Sequence, residues 1–353
     1  MKKLLLVLFI GFIGFGLFAQ VTDTQIREAA NTLGVPFEVL KQLVYSYLPS
    51  DAMPQITGTI VPGNTVTEKL AWLQRNAESH NTYILEVKAN ENIAPATLSY
   101  SGGINITIVL RGDSVNHTIR LNSNGTMFTV KSSITFVLDN NITLQGHPGN
   151  NGTMVYVDGG TFRMRTGATI TGNTRSNDNG GGVYVGSGTF EMTGGTIYGN
   201  TAREHGGGVC LNDSSGTFIM SGGIISGNTA AKGGGVEGGT ITMSGGIISG
   251  NTANEYGGGV SVGRTFAMRG GTISGNTAVK YGGGVYANSS FTKTGGTITG
   301  YNSDRTDGNV VKDGEGTIAR RGHAVYVNEN RRKETTAGPD VRLDNSSTGG
   351  WDN

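Results

Sequence analysis

The sequence predicts an all-β chain: a right-handed, single-stranded parallel β-helix with three strands per coil and roughly nine coils, preceded by a small N-terminal helical region. Three observations predict it. Between Gly160 and Gly300 one phrase recurs six times with variations: Thr-Phe-x-Met, then Gly-Gly-Thr-Ile-Ser-Gly-Asn, and in the first five copies a charged loop and Gly-Gly-Gly-Val. Its isoleucine stands at Ile170, Ile197, Ile225, Ile248, Ile273 and Ile298, so copies lie 27, 28, 23, 25 and 25 residues apart, a period that marks a solenoid. Each unit holds three short runs with period-two alternation, such as Val183–Val185, Thr189–Met192 and Thr196–Tyr198, separated by Gly and Asn and free of any helical pattern.

Three strands and three turns in one such unit make one coil, and coils stacked in register form three parallel sheets around an apolar core. Parallel crossovers are overwhelmingly right-handed, which sets the expected hand. With strands about 4.8 Å apart, roughly nine coils give a rod on the order of 40 Å long. Glycine, 60 of 353 residues without the collagen triplet, serves turns. A net charge of +1 supplies no global field toward nucleic acid or an anionic membrane, so any partner is recognised locally.

The elements follow in order. Residues 1–19 read as a signal peptide: Lys2 and Lys3, the apolar run Leu4 to Phe18, and Ala19 as the cleavage residue. After its removal no integral membrane span is expected, and the chain is placed in the periplasm, at the cell surface or outside the cell. Residues 20–50 read as a helical pair, with Asp23-Thr24 capping a helix over Gln25–Leu33 and Pro36 starting a second one to about Tyr47. Residues 51–64, with Pro54 and Pro62, read as a linker. In residues 65–100, Thr65-Val66-Thr67-Glu68 is a capping box for a helix that covers the first coil, followed by the strand Thr82–Val87. The β-helix occupies 101–345, with Leu144 and Leu121 extending the isoleucine register backwards. Tyr301 stands where the asparagine after Asn276 is due, so the regular stack is expected to end there, with 346–353 as a polar tail.

Residues one period apart stack above one another, so columns can be read for chemistry. Phe162, Phe190, Phe218, Ile241, Phe266 and Phe291 form one inward column, and Met164, Met192, Met220, Met243 and Met268 the next, as core filler. Asn173, Asn200, Asn228, Asn251 and Asn276 are expected to bond one another as a ladder. The glycine triplets before Val183, Val209, Val236, Val260 and Val285 lack the lysine and helix of a phosphate loop and are given a turn role. No aspartate column or Gly-Gly-x-Gly-x-Asp nonapeptide supports calcium, and no catalytic, cofactor or metal residue is assigned. The single cysteine, Cys210, reads as a strand residue.

Candidate recognition residues fall elsewhere. Thr169/Thr171, Thr196/Tyr198, Ile224/Ser226, Ile247/Ser249, Thr272/Ser274 and Thr297/Thr299 flank the buried isoleucines as a hydroxyl-rich face. Such arrays resemble ice-binding β-solenoid faces, but Tyr198 and two isoleucines interrupt this one. On the Gly-Gly-Gly-Val strand the outward column is Tyr184, Cys210, Glu237, Ser261 and Tyr286. Arg175, Asp178, Arg203, Glu204, His205, Lys232, Glu255 and Lys280 lie in variable turns after the asparagine, the natural place for recognition. His205 is the densest titratable point, and the register is expected to bring no second carboxylate to it. Arg111-Gly112-Asp113 spells an integrin-recognition tripeptide at a strand-to-turn transition, a place open to exposure, although three-residue matches also arise by chance.

Gly222-Gly223-Ile224-Ile225 and Ile225-Ser226-Gly227-Asn228 resemble the Gly-Gly-Ala-Ile and Phe-x-x-Asn repeats of polymorphic outer-membrane proteins and autotransporter passengers, over about residues 160–300. That resemblance implies an exported, adhesin-like surface protein, and without their C-terminal barrel, direct outer-membrane anchorage is not expected. The expectation is a non-enzymatic surface-interaction role with a host or envelope protein or a glycan as partner. Two alternatives stay open: a carbohydrate-binding or polysaccharide-degrading β-helix, and a structural spacer of the cell envelope.

Overall fold

The structure, a computed structural model, describes residues 28, 56–101, 104–301, 306–312, 315–316, 322–327, 342–343 and 350–352. The chain divides into two compact units, Met1–Thr57 and Gly58–Asn353, and the second holds the fold described below. The signal peptide and, Glu28 apart, the helical pair lie outside the described residues.

The second unit is a parallel β-solenoid of about 9 turns. What stacks the coils is visible in three registers. In the first sheet, here the phenylalanine sheet, Tyr83, Ile108, Phe136, Phe162, Phe190, Phe218, Ile241, Phe266 and Phe291 occupy successive rungs, all buried. Consecutive rings stack at 4.8 to 5.7 Å from Phe136 to Phe218, close to the strand spacing, so one sheet geometry satisfies backbone and rings together. Two residues on, Leu85, Leu110, Leu138 and then the methionines form the second inward column, which Lys293 ends. The outward residue preceding each aromatic rung is Thr82, Thr107, Thr135, Thr161, Thr189, Thr217, Thr240, Thr265 and finally Ser290.

The isoleucine sheet carries Leu144, Ile170, Ile197, Ile225, Ile248, Ile273 and Ile298 inward. One coil earlier it is Ile119, not Leu121, that pairs with Leu144, while Leu121 pairs with Ile93. Both leucine and isoleucine sit on the inward parity of the same strand, so the sequence could not separate a two-residue slip from the true register. The valine sheet holds Phe128, Val155, Val183, Val209, Val236, Val260, Val285 and Val325 inward. The expected three sheets are joined by a fourth, short ladder of Thr174, Thr201, Thr229, Thr252, Thr277 and Val310 just after the asparagines.

The asparagine ladder runs further than the sequence suggested, from Asn150 through Asn276 to Asn309, every member fully buried. From Asn200 on, each side-chain amide donates to the next Oδ1 at 2.8 to 3.1 Å and to backbone carbonyls of the turn. The stack therefore does not end at Tyr301: Asn309 takes the due position after an insertion. The glycine triplets are explained by crowding. A Cβ at Gly207 would lie 2.5 Å from the Thr229 carbonyl oxygen, and one at Gly208 2.7 Å from that of Gly235, while Gly206 has φ +60°.

At the N-terminal end the capping helix Val66–Asn76 has Thr65 at its N-cap with the complete capping box to Glu68. Val66 and Leu73 are buried in the core with Tyr83 and Leu85, and Trp72 meets the Tyr83 ring edge-on at 6.0 Å. Within the segment read as a linker, Thr59–Ile60 pairs with Thr82–Val87, and Val61 is buried. Within the segment read as a tail, Gly350–Asp352 pairs antiparallel with Val325–Val327 and with Arg342–Leu343. Among the described residues no helix is long and apolar enough to cross a membrane.

Candidate functional site

The outward column of the valine sheet varies from coil to coil. The five positions read from the sequence are in register, and the column extends at both ends: Tyr156, Tyr184, Cys210, Glu237, Ser261, Tyr286, Tyr326. Beside it runs a second column supplied by the variable turns, in which His205, Lys232, Tyr256 and Tyr281 follow one another from coil to coil. Stacked coils thus convert four separate loops into one continuous edge.

One half of that edge is aromatic. Tyr256 stacks on Tyr286 at 4.8 Å and on Tyr281 at 5.9 Å, and Tyr326 stacks on Tyr281 at 4.4 Å and on Tyr286 at 5.7 Å. Lys280 and Lys232 place their ammonium groups 5.3 and 5.9 Å from the Tyr256 ring, and Lys280 also pairs with Glu255 at 2.6 Å. Tyr281 remains 45% exposed. Tyr256, Tyr281 and Tyr326 were not among the candidates, because Tyr256 and Tyr281 precede glycine triplets in turns and Tyr326 lies beyond the regular repeats. The signal that finds them is the shared register, which pairs Tyr256 with Tyr281 and Tyr286 with Tyr326.

The other half is polar. The Cys210 thiol donates to Glu237 Oε2 at 3.6 Å, and His205 Nδ1 lies 3.7 Å from Glu237 Oε1. The expectation that no second carboxylate reaches His205 is therefore overturned: Glu237, one coil on, faces its ring. Asp213 accepts from the Gly239 amide at 3.1 Å, and Arg175 pairs with Asp178 and lies 5.7 Å from the Tyr184 ring centre. Burial, and then the charge of Asp213, push the Glu237 carboxyl up to about 7. Burial and the neighbouring Glu237 push the Cys210 thiol well up, and burial with Lys232 pulls His205 down. Cys210 keeps its proton and is no nucleophile at neutral pH.

The remaining candidates disperse. Arg111 is only 15% exposed, with its guanidinium 3.7 Å from Glu86, and Asp113 pairs with His117 at 2.9 Å. The Arg-Gly-Asp tripeptide thus lies at the end of the strand Ile106–Gly112, as its sequence position suggests, with its charges engaged within the chain. On the isoleucine sheet the hydroxyl face is broken by Ile224 and Ile247, which stand exposed beside Tyr198. Among the described residues no group of His, Cys, Asp and Glu has a geometry that could hold a metal ion. Compared with models of protein families, with curated proteins and with solved structures, the chain matches none.

Proposed function

We propose that this chain is an exported, non-enzymatic β-helix that acts by surface interaction, and that the tyrosine-rich edge of the valine sheet is its recognition surface for a protein partner. The observation that carries the reading is the cluster of Tyr256, Tyr281, Tyr286 and Tyr326 beside Lys232 and Lys280. Partly exposed tyrosines rimmed by charge are the composition of a protein interface. A sugar needs an open ring face, but these rings are within 9 to 27° of parallel and cover one another, so solvent meets their edges and hydroxyls. Export rests on the reading of residues 1–19, and the adhesin-like role on the resemblance of the repeat to autotransporter passengers. Catalysis is left out of the proposal because Cys210 is buried and protonated and Asp213 is tied to a backbone amide.

Fractionation of the producing cells is expected to recover the protein outside the cytoplasm, and the labelled protein to bind intact cells saturably. Tyr281→Ala combined with Tyr326→Ala is expected to weaken that binding by roughly tenfold or more, the loss of one or two interface anchors. Recovery in the cytosol alone, or undiminished binding by the double variant, contradicts the proposal.

A further inference from the structure

The threonines of the phenylalanine sheet carry a second inference, independent of the tyrosine edge. Monotony at an inward position is explained by the core, and the asparagines are explained by the bonds they make to one another. The threonine column has neither explanation. It points outward, it keeps threonine on eight successive rungs and then serine, and among the described residues no hydrogen bond within the chain occupies its hydroxyls. The other outward column of the same strands drifts freely, from Arg163 and Glu191 to Ile219, Thr242 and Ala267. Strand propensity alone would favour threonine in both columns equally.

Over three of these rungs the surface is concave. An open groove of about 380 Å³ is lined by Thr107, Thr135 and Thr161 with Asn105, Ser133, Ile134, Gly159 and Gly160. Asn105 and Ser133, just before the strands Ile106–Gly112 and Ile134–Leu138, hold φ of 56° and 65°, and Gly159, at the irregularity within Val155–Met164, holds 92°, so the chain turns away ahead of each threonine and leaves the notch open. The volume lies in the range of small-ligand sites. No charged side chain lines it, and the nearby Lys131 and Asp158 are paired with each other. A charged ligand would find no counter-charge there, and an apolar one would strand the hydroxyls. Each hydroxyl both donates and accepts, and successive rungs present one about every 4.8 Å.

We propose that this groove is a binding site for a neutral carbohydrate chain laid along the threonine column. Isothermal titration of the full chain with cellohexaose, maltohexaose and, as an acidic comparison, hexagalacturonate tests it. A neutral hexasaccharide is expected to bind saturably, and Thr107→Val, Thr135→Val and Thr161→Val together to weaken that binding by roughly tenfold or more, since valine keeps the branched shape and removes the hydroxyls. Thr135→Lys, which fills the groove without altering the backbone, is expected to do the same should the triple variant fold poorly. Tyr281→Ala is expected to leave sugar binding intact, which separates this site from the tyrosine edge. Absence of saturable binding by both neutral sugars, tighter binding of hexagalacturonate, equal binding by both groove variants, or ice-growth inhibition without sugar binding would each overturn the proposal.

Discussion

Asn228→Leu is expected to lower stability by roughly 2–6 kcal/mol, the largest effect of any single substitution considered for this chain. The Asn228 side chain accepts from the Asn200 backbone amide at 2.9 Å and from the Asn200 side chain at 3.1 Å. It donates to the Ile197 carbonyl and to Asn251 Oδ1, each at 3.0 Å. Leucine matches asparagine in the number and branching of its side-chain heavy atoms but is bulkier and satisfies none of these groups, so a buried amide and a buried carbonyl lose their partners, each costing about 1–3 kcal/mol. Because each coil touches only its neighbours, the loss is concentrated at one interface between coils, and unfolding is expected to split into two transitions. Denaturant melts followed by circular dichroism check both statements; a single transition at the parent midpoint would refute them.

Raising the pH from about 5 to 8 is expected to destabilise the parent protein relative to Glu237→Gln by about 3 kcal/mol. The carboxyl has an ordinary value of 4.5 and sits near 7 in the fold, chiefly because it is buried, with a side chain 14% exposed. Between those two values the folded chain binds more protons than the unfolded one, so stability falls as the pH rises through the window. Below 4.5 both states are protonated and parent and variant agree; above 7 the whole penalty is present. His205, Cys210, Asp213 and Lys232 surround the group in both proteins. Denaturation midpoints of the two proteins at several pH values measure this, and parallel pH profiles would show that Glu237 is ionised at neutrality.

Most of the fold was legible because the core repeats. The phenylalanine, methionine and asparagine columns follow from the period alone, since one side chain must fit above its own copy. Where copies diverge, the sequence loses the thread: Ile119 and Leu121 share a parity, and Asn309 follows an insertion that hides its register. The short threonine ladder after the asparagines escaped notice because strands of two residues leave no alternation to read. The candidate edge was half legible. Tyr184, Cys210, Glu237, Ser261 and Tyr286 are set by the repeat, whereas the contact of His205 with Glu237 and the tyrosine cluster depend on how far each turn reaches toward the next coil. The threonine column was in plain view in every Thr-Phe-x-Met, and only the hydrogen bonds it fails to make distinguish it from an ordinary strand position.

Both surfaces exist only if each repeat is one coil and like positions line up along the axis. The distance between spin labels at Thr161→Cys and Ser290→Cys, in a Cys210→Ala background, tests this most directly. These positions are five rungs apart on the phenylalanine sheet, through Thr189, Thr217, Thr240 and Thr265. At about 4.8 Å per rung, a narrow distribution centred near 24 Å between backbones is expected, broadened only by the label arms. A broad distribution, or one centred beyond roughly 40 Å, would contradict the stacked register.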